Sequence, residues 1–272
     1  MQNALRSAAA VEIRNLSFGY DQRMVLKDVS LTIPRGGLVA IMGQSGCGKT
    51  TLLRIIGGAL MPSLGSARVL GEDTSSLDAR GLQALRRRMG VLFQFGALFT
   101  DMTVFDNVAF PLREHTGLPP ELIRDLVLMK LNAVGLRGSA ERMPSSLSGG
   151  MARRVALART IALDPSLILY DEPFTGLDPI AMGVTARLIR DLNRSLGATS
   201  IVVTHDVEET LAIVDYVYFV AGGRIIAEGP PDTVRASAEP YLRQFVRGEP
   251  DGPVPFHAAA PRYAADLDLA AA

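Results

Sequence analysis

Leu38-Val39-Ala40-Ile41-Met42-Gly43-Gln44-Ser45-Gly46-Cys47-Gly48-Lys49-Thr50 decides the fold. The first five residues are a short, wholly apolar run, the pattern of a parallel strand buried on both faces. The next eight have the spacing of a phosphate-binding loop, and residues 51–56 read as the helix that follows, stopped by Gly57-Gly58. Strand, glycine-rich turn and helix therefore come in the order a phosphate site needs. The glycines let successive backbone amides converge on phosphate oxygens, and the helix N-terminus adds partial positive charge. Within the binding stretch from Gly43 to Thr51, two side chains carry distinct chemistry: Lys49 should reach the β- and γ-phosphates of a nucleoside triphosphate, and Thr50 should ligate magnesium. A chance Gly/Ser-rich turn would lack the lysine, the threonine and both flanking elements in register.

Further apolar runs at 167–170, 200–204, 216–220 and 224–227 mark strands. Helical patterns between several of them predict a mainly parallel sheet covered on both faces. Residues 11–17 and 29–33 alternate in polarity and read as shorter strands of an antiparallel flap, with Tyr20 between them. The run at 167–170 ends in Asp171-Glu172, placing two carboxylates at the carboxyl edge of the sheet, where ligands of open α/β folds bind. Asp171 suits a magnesium shell and Glu172 an attacking water. The alternative, a helix cap ahead of Pro173, is weakened by the four apolar residues before the pair. Leu147-Ser148-Gly149-Gly150-Met151 precedes a helical pattern over 152–163 that stops at Asp164-Pro165, with Ser148 a good N-cap. Two glycines at a helix start make a second anion site. The chain thus carries two half-sites for a triphosphate, and one copy is not expected to fold both around one nucleotide.

The 272 residues are 48% hydrophobic and 21% charged, enough for one large α/β domain or two small ones. Lys plus Arg equals Asp plus Glu at 28 each, which leaves no overall footprint for nucleic acid or an anionic membrane surface. Arg86-Arg87-Arg88 is expected to be a solvated helix face. No apolar stretch approaches the roughly 20 residues that cross a bilayer, and no signal-type core precedes Glu12 and Arg14, so the expected location is the cytosol. Cys47 is the only cysteine, which excludes an intrachain disulfide and argues against a zinc site. Its side chain, at a position the motif leaves free, reads as an incidental small residue rather than a redox sensor.

Across residues 11–246 this order of motifs resembles the ATPase subunit of ATP-binding cassette (ABC) transporters. The resemblance implies an α/β P-loop NTPase fold of the RecA-like kind: a mainly parallel sheet, an N-terminal antiparallel β subdomain and an inserted α-helical subdomain. It divides the chain into a nucleotide-binding domain over 11–247, with its core at 11–94 and 160–247 and the helical subdomain at 95–159, and a C-terminal extension over 248–272. ATP and Mg2+ are the implied cofactors. Tyr20 would stack on adenine, Gln94 would contact magnesium and the membrane partner, and His205 would hold the γ-phosphate. Ser148, Gly149, Gly150 and Met151 would form a signature loop acting in trans on the ATP of a second copy, and Asp178, within 175–179, would lie at the dimer interface. Glu172, His205, Lys49 and Gln94 are then the catalytic set, and Thr50, Gln94 and Asp171 the magnesium set.

Residues 96–108 and 111–116 narrow the resemblance to the lipid-asymmetry ATPases of Gram-negative bacteria, which serve transporters built around MCE-domain proteins. Gly149-Gly150-Met151-Ala152-Arg153-Arg154 resembles that subfamily's own signature, where the superfamily usually has Gln in place of Met151. The implied role is ATP hydrolysis that moves phospholipids between inner and outer membranes. The implied partners are a second copy, a membrane permease subunit, an MCE-domain lipid-binding protein and a small STAS-domain protein, with no nucleic acid, at the cytoplasmic face of the inner membrane. Phe95, Leu98, Phe99 and Phe105 are expected to divide between core and a groove for a coupling helix. Beyond Gly248 the chain turns rich in Pro, Ala and Gly, and 251–256 resembles a tail segment of the same ATPases. Val254, Pro255, Phe256 and Tyr263 are expected to anchor an arm exchanged between subunits. An importer of a polar solute would share every nucleotide motif and would co-purify with a substrate-binding protein. A soluble cassette protein of DNA repair or translation would carry a long coiled-coil insertion or tandem cassettes, and this sequence has neither.

Overall fold

The computed structural model describes residues 9–255. Two long strands come first, β1 (Ala9–Tyr20) and β2 (Arg23–Pro34), then β3 (Leu38–Met42), whose five residues are all buried. Helix α1 (Lys49–Ile56) follows the glycine-rich loop, and β4 (Leu64–Val69) and β5 (Glu72–Asp73) return to the first strands. Helix α2 (Ala79–Arg87) leads into β6 (Met89–Leu92). The helices α3 (Val104–His115), α4 (Pro120–Ala133) and α5 (Gly149–Thr160) then run in succession. Strand β7 (Leu167–Asp171), helix α6 (Pro179–Leu196), β8 (Thr199–Thr204), α7 (Val207–Leu211), β9 (Tyr216–Ala221) and β10 (Arg224–Gly229) complete the alternation. Helices α8 (Pro231–Arg235) and α9 (Pro240–Arg247) close the series.

The larger sheet has the order β10-β9-β3-β8-β7-β6, with only the β9–β10 pair antiparallel. Ile41 stands opposite Val203 on one side and Tyr218 on the other. Hydrogen-bonded at both edges and covered on both faces, β3 has no place for a polar side chain, hence its unbroken apolar sequence. The smaller sheet, β2-β1-β4-β5, is antiparallel throughout. One apolar core packs α3, α4, α5 and α6 against the larger sheet through residues such as Val108, Val127, Val155, Tyr170 and Ile189. A second lies between α1 and the antiparallel sheet and holds Ile13, Val29, Ile41, Leu52, Ile55 and Ile201.

The first two strands are 12 residues each, longer than their polarity predicts. The register of β1 on β2 shifts between Ile13 and Leu16 and again after Leu16, and Arg14 and Asn15 are successive exposed residues. Such bulges interrupt the two-residue alternation that marks a strand. Helix α5 begins three residues earlier than expected because the Ser148 hydroxyl accepts from the Met151 amide at 3.3 Å, so the helix starts at the glycines. It ends before Asp164, whose φ of 48° turns the chain. All three arginines are exposed, as expected of a solvated face, and Arg86 also makes a contact to a neighbouring helix. Its Nη2 donates to the Gly58 carbonyl at 2.8 Å, placing a cation at the C-terminus of α1. Ile201, fully buried in β8, tests how far the fold rests on these cores: Ile201→Ala should cost about 2–5 kcal/mol, measured by denaturant unfolding.

Candidate nucleotide site

Strand β3 delivers the chain to the carboxyl edge of the sheet, where the glycines become compulsory. Gly43 has φ 149°, and a Cβ there would lie 2.2 Å from the Val220 carbonyl oxygen and 2.9 Å from Cys47 Sγ. Gly48, at φ 108°, is the N-cap of α1 and supplies no side-chain bond to it. The first amides of that helix are therefore left for something outside the helix to satisfy. They border a cleft of about 730 Å³ that Ser45, Gly46, Cys47, Gly48, Lys49, Thr50 and Thr51 line on one side. Tyr20, Gln94, Glu172 and His205 line the rest, together with Arg23, Lys27 and the Gly222-Gly223 turn.

Lys49 is 5% exposed. Its Nζ donates to the Gly43 carbonyl at 2.7 Å and the Gln44 carbonyl at 3.2 Å, and lies 3.7 Å from Glu172 Oε1. Tyr241 on α9 donates its hydroxyl to Gln44 Oε1 at 3.1 Å, so the loop is also held from the C-terminal helices. Thr50 Oγ1 donates to Asp171 Oδ1 at 3.1 Å. Burial raises the Asp171 carboxyl above its ordinary range, while the Thr50 hydrogen bond opposes that rise. A half-buried carboxylate beside a hydroxyl, with the Gln94 carboxamide in the same cleft, is a hard-oxygen donor set that fits a divalent cation.

Glu172 follows the last residue of β7 at φ 48°, its amide donating to the Val203 carbonyl at 2.8 Å. That bond to β8 fixes the carboxylate over the cleft. Its Oε2 lies 2.9 Å from His205 Nδ1 and accepts from the His205 amide at 3.3 Å. The acid and the imidazole, distant in sequence, are thus brought side by side, with the His205 backbone amide making the hydrogen bond. No helix starts at Pro173; the next begins at Pro179, so Asp171 and Glu172 are not caps.

Tyr20 ends β1 and is 42% exposed, its ring edge-on to Phe18 at 5.0 Å. Arg23 and Lys27, which flank it in the cleft, are cations that sequence reasoning missed. Their only signal was a place beside the Tyr20 hairpin, and what brings Lys27 in is its amide bond to the Gly223 carbonyl at 2.8 Å. Cys47 has the character expected of an incidental residue. The thiol is partly buried against the loop, and burial pushes its pKa up despite Lys49 nearby, the opposite of a reactive thiolate.

Ser148, Gly149, Gly150 and Met151 line a different concavity, of about 590 Å³, shared with Gly176, Leu177, Asp178 and Ile180. The fold does not bring them to Lys49 of the same chain. Asp178 Oδ1 accepts from the amides of Ile180 and Ala181 at 3.0 Å each, capping α6. Beside it Ile180 is 80% exposed.

The ABC transporter family matches residues 26–175, and the chain belongs to it. It is an ATPase of the P-loop fold. It is 56% identical over 257 residues to the intermembrane phospholipid transport system ATP-binding protein MlaF of Haemophilus influenzae, covering 94% of this chain and 97% of that protein. It is 54% identical over 260 residues to the protein of the same name from Escherichia coli K12, covering 96% and 97%. Among solved structures, the dimeric post-hydrolysis state of the ATP-binding cassette MJ0796 bound to ADP and Pi aligns with a TM-score of 0.74 at 32% identity, over 81% of this chain and 98% of that one. Because Gly43 cannot carry a Cβ, Gly43→Ala should raise the Kd for ATP at least about tenfold, which is about 1.4 kcal/mol, read by titration with a fluorescent ATP analogue.

Proposed function

We propose that the chain is the ATP-hydrolysing subunit of a transporter that moves phospholipids between inner and outer membranes. The observation that carries this reading is identity of 56% and 54% over nearly the whole length of relatives named for intermembrane phospholipid transport. The cleft described above supplies the chemistry such a subunit needs.

Two copies would face each other head to tail, so that Ser148 to Gly150 of one close on the nucleotide held by the phosphate loop of the other. The separation of the two concavities within one chain supports this, and a C2 pair gives two equivalent sites. Thr50, Asp171 and Gln94 would hold magnesium, which when bound neutralises charge on the β- and γ-phosphates. Lys49 would exchange its neutral carbonyl partners for phosphate oxygens, a stronger charge-assisted bond. Glu172 would orient and polarise the attacking water, with His205, already 2.9 Å from it, gripping the γ-phosphate. Tyr20 would stack on the adenine. Driving a dimer from 1:99 open to 99:1 closed takes roughly 10⁴-fold preferential binding, about 5.5 kcal/mol, which a γ-phosphate held from both sides can supply and hydrolysis removes.

The route to the membrane would be the groove of about 460 Å³ lined by Phe93, Ala97, Phe99, Phe110 and Pro111. Leu98 and Phe105 pack on the core, whereas Phe95 is 80% and Phe93 53% exposed, an apolar rim suited to a coupling helix of a permease. Among the described residues no helix is long and apolar enough to cross a membrane, which fits peripheral attachment. An MCE-domain protein and a small STAS-domain protein would complete the complex. The tail starts differently from the expected exchanged arm. Gln244 donates to the Val254 carbonyl at 3.0 Å and accepts from its amide at 2.9 Å, tying Val254 to its own subunit. An arm could cross only beyond that point; Phe256 and Tyr263 lie outside the described residues.

Glu172→Gln should lower turnover about 10²- to 10³-fold and leave a closed dimer with ATP bound, seen as an ATP-dependent shift on size exclusion. Affinity capture of the full-length chain from detergent-solubilised cells, with mass spectrometry of proteins and lipids, should recover a permease, an MCE-domain protein, a STAS-domain protein and phospholipid. A chain ending at Gly248 should recover less of the complex. A solute-binding protein with a different permease would overturn the phospholipid reading.

A further inference from the structure

The signature helix α5 holds a buried cation that none of the roles above uses. Arg153 is 5% exposed, and among the described residues it forms no ion pair with a carboxylate. Instead its Nη1 donates to the carbonyls of Phe93 and Gln94, and its Nη2 to the carbonyl of Thr175 at 3.0 Å. One planar guanidinium therefore joins three elements: helix α5, the backbone at Gln94, and the loop that ends at Asp178. The bonds at Phe93 and Gln94 fix the peptide units on either side of the Gln94 side chain's origin. Arg159, two turns along the same helix, donates to the Gly96 carbonyl at 2.6 Å, so the loop on both sides of exposed Phe95 hangs from α5. The Thr175 hydroxyl is buried with no partner of its own, which leaves the loop's backbone carbonyl, through Arg153, as its polar tie to α5.

Burying a cation without a counter-charge is costly, and an apolar side chain would fill the same space more cheaply. Arginine suits the task because its fork spans several acceptors at once while staying charged. We propose that Arg153 is a positioning residue for ATP hydrolysis: it sets the Gln94 backbone, and with it the carboxamide in the cleft, from the helix that Ser148 caps. This rests on the reading of Gln94 as a ligand of the reacting nucleotide's cation. In the head-to-tail dimer Ser148 serves one ATP and Gln94 the other, so Arg153 lies on the connection between the two sites.

The test is the ATPase rate of the transporter purified with full-length chain, expressed per nucleotide site titrated with the fluorescent analogue TNP-ATP, so that loss of folded protein does not count. Arg153→Gln should lower turnover per site at least tenfold with the nucleotide Kd within twofold of wild type. Misplacing a reacting group by about 1 Å is enough for such a loss. Gln94→Ala should show a similar fall, and the double variant should be no slower than the worse single one, the signature of a shared route. Arg153→Lys, which keeps the charge and reaches fewer carbonyls, should fall about threefold, and it carries the test if Arg153→Gln does not accumulate as folded protein. Turnover per site equal to wild type in Arg153→Lys and Arg153→Gln, with only a lowered Tm, overturns the proposal, as does a double variant whose losses multiply. If Gln94→Ala slows turnover and Arg153→Gln does not, only the inference about Arg153 fails. If Gln94→Ala itself has no effect, the reading of Gln94 fails and takes the inference with it.

Discussion

The structure depends on one steric constraint at the end of a buried strand. Strand β3 is covered on both faces and paired at both edges, so its last residue must release the chain directly at the sheet's carboxyl edge. There the Val220 carbonyl leaves no room for a Cβ at residue 43. Glycine at that point lets the backbone fold back over the sheet, which in turn aims the uncapped start of α1 into the cleft. The same constraint explains why the lysine and threonine come six and seven residues after that glycine: they are the first residues of the helix, held at a fixed distance from the sheet edge.

Around that turn the electrostatics are arranged by burial rather than by net charge, which is zero for the chain. Lys49 is nearly inaccessible and makes its closest contacts with neutral carbonyls. Asp171 is pushed towards its protonated form by burial and held back by the Thr50 hydroxyl. The nearest partner of each group is thus a neutral oxygen, with the Glu172 carboxylate standing further off, 3.7 Å from Lys49. That is the condition under which ligand binding gains free energy without first breaking a strong internal ion pair.

The glycine turn at Ser148 lies in its own concavity with Asp178 and exposed Ile180. Its helix is nevertheless tied to the Gln94 loop by guanidinium groups that bond backbone carbonyls, so the two concavities are mechanically joined though they share no lining residue. Backbone contacts of this kind transmit position without depending on which side chains stand in the loops, and they are invisible to any reading of motif order.

The sequence by itself determined the phosphate loop, the carboxylate pair at the end of a strand, the capped glycine turn at Ser148 and the alternation of elements. Each rests on local physics: the apolar run of a doubly buried strand, the conformational freedom of glycine, a hydroxyl that caps an amide. The lengths of β1 and β2 escaped it because bulges break the two-residue alternation, and the role of Arg86 escaped it because the carbonyls it caps belong to another helix. Only the tertiary structure decided that His205 lies beside Glu172, that Arg23 and Lys27 enter the cleft and that Arg153 bridges two loops. These contacts join residues that are far apart along the chain, and their partners are set by the parallel order of the strands, which no local pattern specifies.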